Sequence, residues 1–146
     1  MNIAVILSAG AGRRFKSSCP KQFLILDDKA ILLHSLCKFQ EYHKIEKIIV
    51  ISNPEYLDET KKICSGFSKL AAVVNGGERR QDSVWSALSW IKKNIKTCET
   101  VLVHDSARPL FNDKLLDLLF AARKNNDAVI PCIPMDDTIK QRSGNK

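Results

Sequence analysis

The 146-residue chain is one domain's worth of polypeptide, and its 45% hydrophobic and 27% charged content is that of an ordinary soluble globular protein. No stretch approaches the roughly 20 apolar residues of a membrane span, and Ile3 to Leu7 is too short for a signal-peptide core and lacks a basic leader, so the expected compartment is the cytoplasm. The net charge of +7 suits anionic partners, but the basic residues form no single run and no aromatic motif interleaves them, which argues against nucleic acid.

Taken in order, the chain repeats one rhythm: a short apolar run, a Gly-rich or polar turn, then an amphipathic segment. Ile3–Ser8 reads as a buried strand. Residues 30–41 place Leu32, Leu33, Leu36 and Phe39 at helical spacing. Residues 45–52 form a second strand, and Asn53-Pro54 opens a helix running to about Cys64. A third strand, 70–74, ends at Gly76-Gly77. Residues 79–93 form a helix expected to bury Val84, Leu88 and Ile91. A fourth strand covers 100–104, a helix capped by Asn112 covers 112–125, and a fifth strand is expected at 128–132. Residues 135–140 read as the first arm of a hairpin.

Strands alternating with helices predict an α/β fold: a Rossmann-like, mostly parallel sheet with helices on both faces, followed by the start of an extended β-arm from about residue 134. Ligands of such sheets sit at the carboxyl ends of the strands. The loops to watch are therefore 8–22, 76–83, 105–109 and 134–140, all on one edge. Five scattered cysteines (Cys19, Cys37, Cys64, Cys98, Cys132) with no CxxC pair argue against a disulfide framework or a zinc site, and free thiols in a reducing compartment are expected.

The first loop reads Ser8-Ala9-Gly10-Ala11-Gly12-Arg13-Arg14-Phe15, then Cys19-Pro20-Lys21-Gln22-Phe23. Two glycines let backbone N–H groups approach phosphate oxygens, and Arg and Lys add full charges. The dinucleotide fingerprint wants a third glycine where Phe15 stands and an acid where Ser52-Asn53 stand, and a P-loop wants Gly-Lys-Ser/Thr. Neither fits. The loop is a phosphate-binding loop of another kind.

With these residues in view, the sequence resembles the 2-C-methyl-D-erythritol 4-phosphate cytidylyltransferases. The resemblance continues through Gly76-Gly77-Glu78-Arg79-Arg80-Gln81-Asp82-Ser83-Val84, His104-Asp105-Ser106-Ala107-Arg108-Pro109 and Asp137-Thr138-Ile139-Lys140. It implies transfer of a cytidylyl group from CTP to methylerythritol phosphate, with Mg²⁺ as cofactor and a homodimer joined through the arm. It implies that Arg14 and Lys21 stabilise charge on the α-phosphate and leaving group, and that Gly76, Gly77 and Ser83 read the cytosine, with Ser8, Ala9 and Gly10 closing the other side. Ala11, Gly12, Glu78, Ser106 and Arg108 join the nucleotide site, with Arg108 pairing either with Asp105 or with a phosphate, and Thr138 touches the phosphate-monoester substrate. Arg13 either binds phosphate or faces solvent.

A carboxylate beside a polyphosphate needs an intervening cation, so Asp105 reads as the Mg²⁺ ligand; the plainer reading is a strand-ending turn residue. His104 reads as structural. Asp136 stands where the family commonly has a basic residue. The family's chains are longer, and the rest of the arm with a substrate-gripping Arg, and a last strand and helix with a Lys, are expected beyond Lys146. The domain is thus read as a single nucleotidyltransferase domain, 1–146, incomplete at its C-terminus. Two other readings stay open: a cytidylyltransferase for a polyol phosphate such as ribitol 5-phosphate, and a non-catalytic nucleotide-binding fragment.

Overall fold

The structure, a computed structural model, describes residues 1–10 and 20–134. Residues 1–111 form one compact unit and a second begins at Asn112. The first is built on a four-stranded parallel sheet of β1 (Asn2–Ser8), β4 (Lys47–Ser52), β5 (Leu70–Asn75) and β6 (Thr100–Asp105), in the order β5-β4-β1-β6. The two central strands are the two most apolar runs. All of Ile3–Leu7 and Ile48–Ile51 is buried, as a strand covered on both faces requires. The edge strands β5 and β6 are only half-buried over most of their length.

On one face, Ile3, Val5, Leu7, Ile49 and Ile51 pack with Ala87 and Ile91 of α3 (Arg80–Asn94). The alternate residues Ala4, Ile6, Ile48 and Val50 face the other way, where α1 (Ile31–Glu41) brings Leu32, Leu36 and Phe39, all fully buried. The helix α2 (Leu57–Ile63) lies against β5. The start of its segment is a single 3₁₀ turn, Pro54–Tyr56, where the Asn53 side chain accepts from the Glu55 amide at 3.0 Å.

Helices thus cover both faces of a parallel sheet, as expected, but three details differ from the sequence reading. First, the buried face of α3 is Ser83, Ala87 and Ile91, while Leu88 is 39% exposed beside Trp85 at 71%. Small residues at i and i+4 let the helix sit close to the sheet, which turns Leu88 outward. Second, a short hairpin of β2 (Ile25–Leu26) and β3 (Lys29–Ala30) precedes α1. Its two-residue loop, Asp27-Asp28, has φ of 48° and 60°, the left-handed pair that a primed hairpin turn needs. Third, the expected fifth strand does not form. Residues 128–132 have no ladder, and Ile130 is 80% exposed. A strand exists only with a hydrogen-bonded neighbour, and none of the described residues pairs with this segment.

The second unit carries α4 (Asp113–Arg123), capped as expected by Asn112, whose side chain accepts from the Leu115 amide at 3.0 Å. No helix among the described residues is long and apolar enough to cross a membrane. Cys37, Cys64, Cys98 and Cys132 are free thiols.

Candidate functional site

Strand register decides which loops meet. Ser8 pairs with Ser52, Ser52 with Asn75, and Leu7 with Asp105. The ends of all four strands are therefore level. Two backbone bonds carry the alignment one residue further: Gly76 N–H donates to the Ser52 carbonyl at 2.7 Å, and Ser106 N–H to the Leu7 carbonyl at 3.0 Å. The loops starting at Ala9, Gly76 and Ser106 leave the sheet side by side.

Three of the expected site residues touch. A Cβ placed on Gly76 would lie 2.5 Å from the Ala9 Cβ and 2.8 Å from the Ser83 Oγ. Only a glycine lets these three close up. Gly77 has no room either, because its Cβ would strike the Asp82 side chain. Ser83 is buried on the first turn of α3, and its Oγ accepts from the Gly77 N–H at 3.2 Å. An accepting hydroxyl keeps its own proton to give away, so Ser83 presents a donor beside Gly76 and Ala9. Glu78 is exposed on the turn between them.

Ser8 behaves differently from Ala9. By alternation its side chain points to the opposite face of the sheet from Leu7 and Ala9. Its Oγ is buried and has no hydrogen-bond partner among the described residues. Its carbonyl, by contrast, is held. The Gln22 side-chain amide donates to the Ser8 carbonyl at 2.9 Å and reaches the Gly10 carbonyl at 3.4 Å.

Gln22 belongs to a 3₁₀ turn, Lys21–Phe23, that follows buried Pro20. Gln22 and Phe23 point inward, and the Phe23 ring packs on Tyr56 with centroids 5.5 Å apart. Lys21 is left facing solvent on a turn pinned from both sides. The sequence quotes Gln22 within a motif but gives it no role, because a buried amide bridging two carbonyls is a tertiary fact.

On the other side of β1, Asp105 ends β6. Its Oδ1 accepts from the Arg80 Nε at 3.0 Å, and its Oδ2 lies 3.3 Å from the Arg108 Nε. The Arg108 amide also donates to the Asp105 carbonyl at 3.0 Å, which closes a turn. Arg80 is the second residue that sequence reasoning passed over. It stands inside the Gly76–Val84 motif that carries the resemblance, where it has no role assigned. Ser106 is buried, and its carbonyl accepts from the Ser35 hydroxyl at 3.5 Å.

His104 is structural, as expected. Its ring packs against Phe39 and Phe111 at 5.3 and 4.6 Å, and Nε2 is 3.2 Å from the Ser35 Oγ. Burial holds the imidazole below its usual pKa, against the opposing pull of the Asp105 charge. A neutral ring wedged between aromatics fixes the strand beneath Asp105.

The described residues hold no group of three or more His, Cys, Asp or Glu side chains that could bind a metal by themselves. Ala11, Gly12, Arg13, Arg14 and Thr138 lie outside the described residues, as does the arm segment 135–140.

Residues 2–146 match the family described as 2-C-methyl-D-erythritol 4-phosphate cytidylyltransferase (IspD). An enzyme of that name from Lachnospira eligens is 34% identical over 96% of this chain and 61% of its own length. A ribitol-5-phosphate cytidylyltransferase from Vibrio parahaemolyticus is 34% identical over 93% of this chain and 59% of its own length. Among solved structures, the bifunctional IspDF from Campylobacter jejuni superposes with a TM-score of 0.80 and 28% identity, over 94% of this chain and 34% of that one. The chain spans about three fifths of the length of single-activity relatives such as the first two. A match running from residue 2 to residue 146, joined to motif loops that converge on one sheet edge, places the chain in the 2-C-methyl-D-erythritol 4-phosphate cytidylyltransferase family.

Proposed function

We propose that this chain supplies the CTP-binding part of an enzyme that transfers the cytidylyl group of CTP to 2-C-methyl-D-erythritol 4-phosphate and releases pyrophosphate. The observation that carries this reading is the contact of Ala9, Gly76 and Ser83 on one edge, level with Asp105 at the end of β6. The base sits against the first group, with the Ser83 hydroxyl as donor to a pyrimidine acceptor. The phosphates lie towards the glycine loop, Lys21 and the arginines around Asp105.

The chemistry is attack by an acceptor phosphate oxygen on the α-phosphorus, with cleavage of the bond to the bridging oxygen and departure of pyrophosphate. The acceptor is already ionised, so no protein nucleophile is needed. What the protein must supply is in-line positioning and charge neutralisation. Lys21, on its pinned turn, and Arg14 neutralise the charge that builds on the α-phosphate and leaving group. Thr138 contacts the acceptor.

A divalent cation fits this donor set. Mg²⁺ binds through one or two carboxylates and takes its remaining ligands from substrate phosphates and water, and Asp105 offers one carboxylate at the rim of the edge. Bound there, Mg²⁺ would supply further neutralisation of the triphosphate. The enzyme acts in the cytoplasm as a homodimer joined through the arm. The Vibrio relative supports a second reading, in which the acceptor is a polyol phosphate such as ribitol 5-phosphate.

Calorimetry tests the nucleotide. CTP with Mg²⁺ should bind at least about tenfold more tightly than ATP or GTP, a difference near 1.4 kcal/mol. Equal affinities would remove the cytidine assignment.

A further inference from the structure

The Arg80–Asp105 pair joins residues that the fold draws from opposite edges of the sheet. Arg80 opens the helix that follows β5, and Asp105 ends β6, with β4 and β1 between those strands. The ion pair therefore ties the start of α3 to the end of β6 on the carboxyl edge. A ligand that spans from the Gly76–Ser83 turn to Asp105 meets this pair in its path.

The pair is also easy to trade. The side chains of Arg80, Arg108 and Asp105 are 64%, 79% and 32% exposed, and exposed ion pairs contribute little net stability because solvent screens them. Two arginines on one carboxylate leave a local charge of +1. A divalent cation on Asp105 raises that to +3, which drives the guanidinium groups away from the carboxylate and towards any nearby anion.

We infer that Arg80 is a further ligand of the nucleotide phosphates, parked on Asp105 while the site is empty and handed over when a divalent cation takes the carboxylate. The inference rests on the proposal that Asp105 binds the cation that accompanies CTP. By linkage, a group that competes with the cation for Asp105 weakens cation binding until phosphate offers it another partner. The device ties entry of the metal to arrival of the nucleotide. It needs no movement of the backbone, only rotation of one exposed side chain.

The test uses Arg80→Met, which keeps the helical start and the length of the side chain but removes the charge. With Mn²⁺ alone as probe, followed by electron paramagnetic resonance, the variant should bind the ion about three- to fivefold more tightly than wild type, the size of one exposed pair. The gain should vanish in Arg80→Met with Asp105→Asn. In calorimetry with CTP and Mg²⁺, Arg80→Met should bind at least about tenfold more weakly, as loss of a charged hydrogen bond predicts. Mn²⁺ binding no tighter than wild type, undetectable binding in both included, overturns the parking role. Unchanged affinity for CTP overturns the handover. A gain that survives Asp105→Asn places the cation elsewhere and overturns both. If wild type itself fails to bind CTP, the nucleotide reading falls, while the Mn²⁺ arm still decides whether Arg80 competes for Asp105.

Discussion

The side-chain amide of Gln22 donates to the carbonyl of Ser8 at 2.9 Å, and both residues are buried. One amide thereby joins the end of the first strand to the turn that presents Lys21. The same nitrogen reaches the Gly10 carbonyl, so both sides of the glycine loop's start are tied to the residue next to the candidate catalytic lysine.

Gln22→Met should remove this clamp while keeping the volume. The Ser8 carbonyl would be left buried without its donor, which costs about 1–3 kcal/mol, measurable by urea unfolding. Hydrogen exchange at Ala9 and Gly10 should accelerate, while the interior of β1 stays protected. Exchange that rises equally along all of β1 would mean that Gln22 only supports the core.

Gly76→Ala should be destabilising for a different reason. The new methyl would collide with the Ala9 Cβ at 2.5 Å and the Ser83 Oγ at 2.8 Å. Overpacking of this kind costs about 1–3 kcal/mol, and CTP binding should weaken with it. Ala9→Gly in the same chain should recover part of the stability, because it removes the nearest colliding atom. No recovery in the double variant would show that Ala9 and Gly76 do not share one packing site.

Lys21→Ala tests the chemistry. It is measured in a polypeptide that carries the C-terminal portion found in the relatives. An interaction made mainly in the transition state lowers turnover and leaves ground-state binding nearly unchanged. Loss of one well-aimed donor typically costs about 10²–10³ in rate. Turnover with methylerythritol phosphate should fall at least about a hundredfold, with CTP affinity far less affected. Arg14→Lys should not substitute fully for Arg14, because a point charge cannot replace a bidentate fork. Unchanged turnover in Lys21→Ala would end the assignment.

Cys64 offers a check on the core. It is fully buried, and burial pushes its thiol up to about 12 from a usual 9.0. In the folded chain it should resist iodoacetamide at pH 8, when exposed Cys132 is labelled, and react once urea unfolds the protein. The sign of the pH effect follows. Folded Cys64 keeps its proton while the unfolded thiol releases it above about pH 9, so this contribution to stability is complete below pH 9 and fades as pH rises towards 12. Native-state labelling of Cys64 as fast as Cys132 would contradict the burial.

Local pattern was enough for most of the frame. Apolar runs such as Ile3–Leu7 and Ile48–Ile51, short and rich in β-branched residues, read as covered strands, and Asn53 and Asn112 cap the helices they precede because their side chains accept from nearby amides. The residues at the ends of β5 and β6 were likewise legible as turn residues, since turn chemistry is local. What the linear chain could not decide was anything that depends on partners far along it. The 128–132 segment has strand composition, yet forms no ladder with any described residue. Leu88 has the periodicity of a core residue, yet faces outward because Ser83 and Ala87 set the rotation of α3. The roles of Gln22 and Arg80 arise only when the parallel register brings residues 8, 22, 80 and 105 to one edge. A hydrogen bond or an ion pair is a matter of distance in space, and for these residues the tertiary fold alone sets that distance.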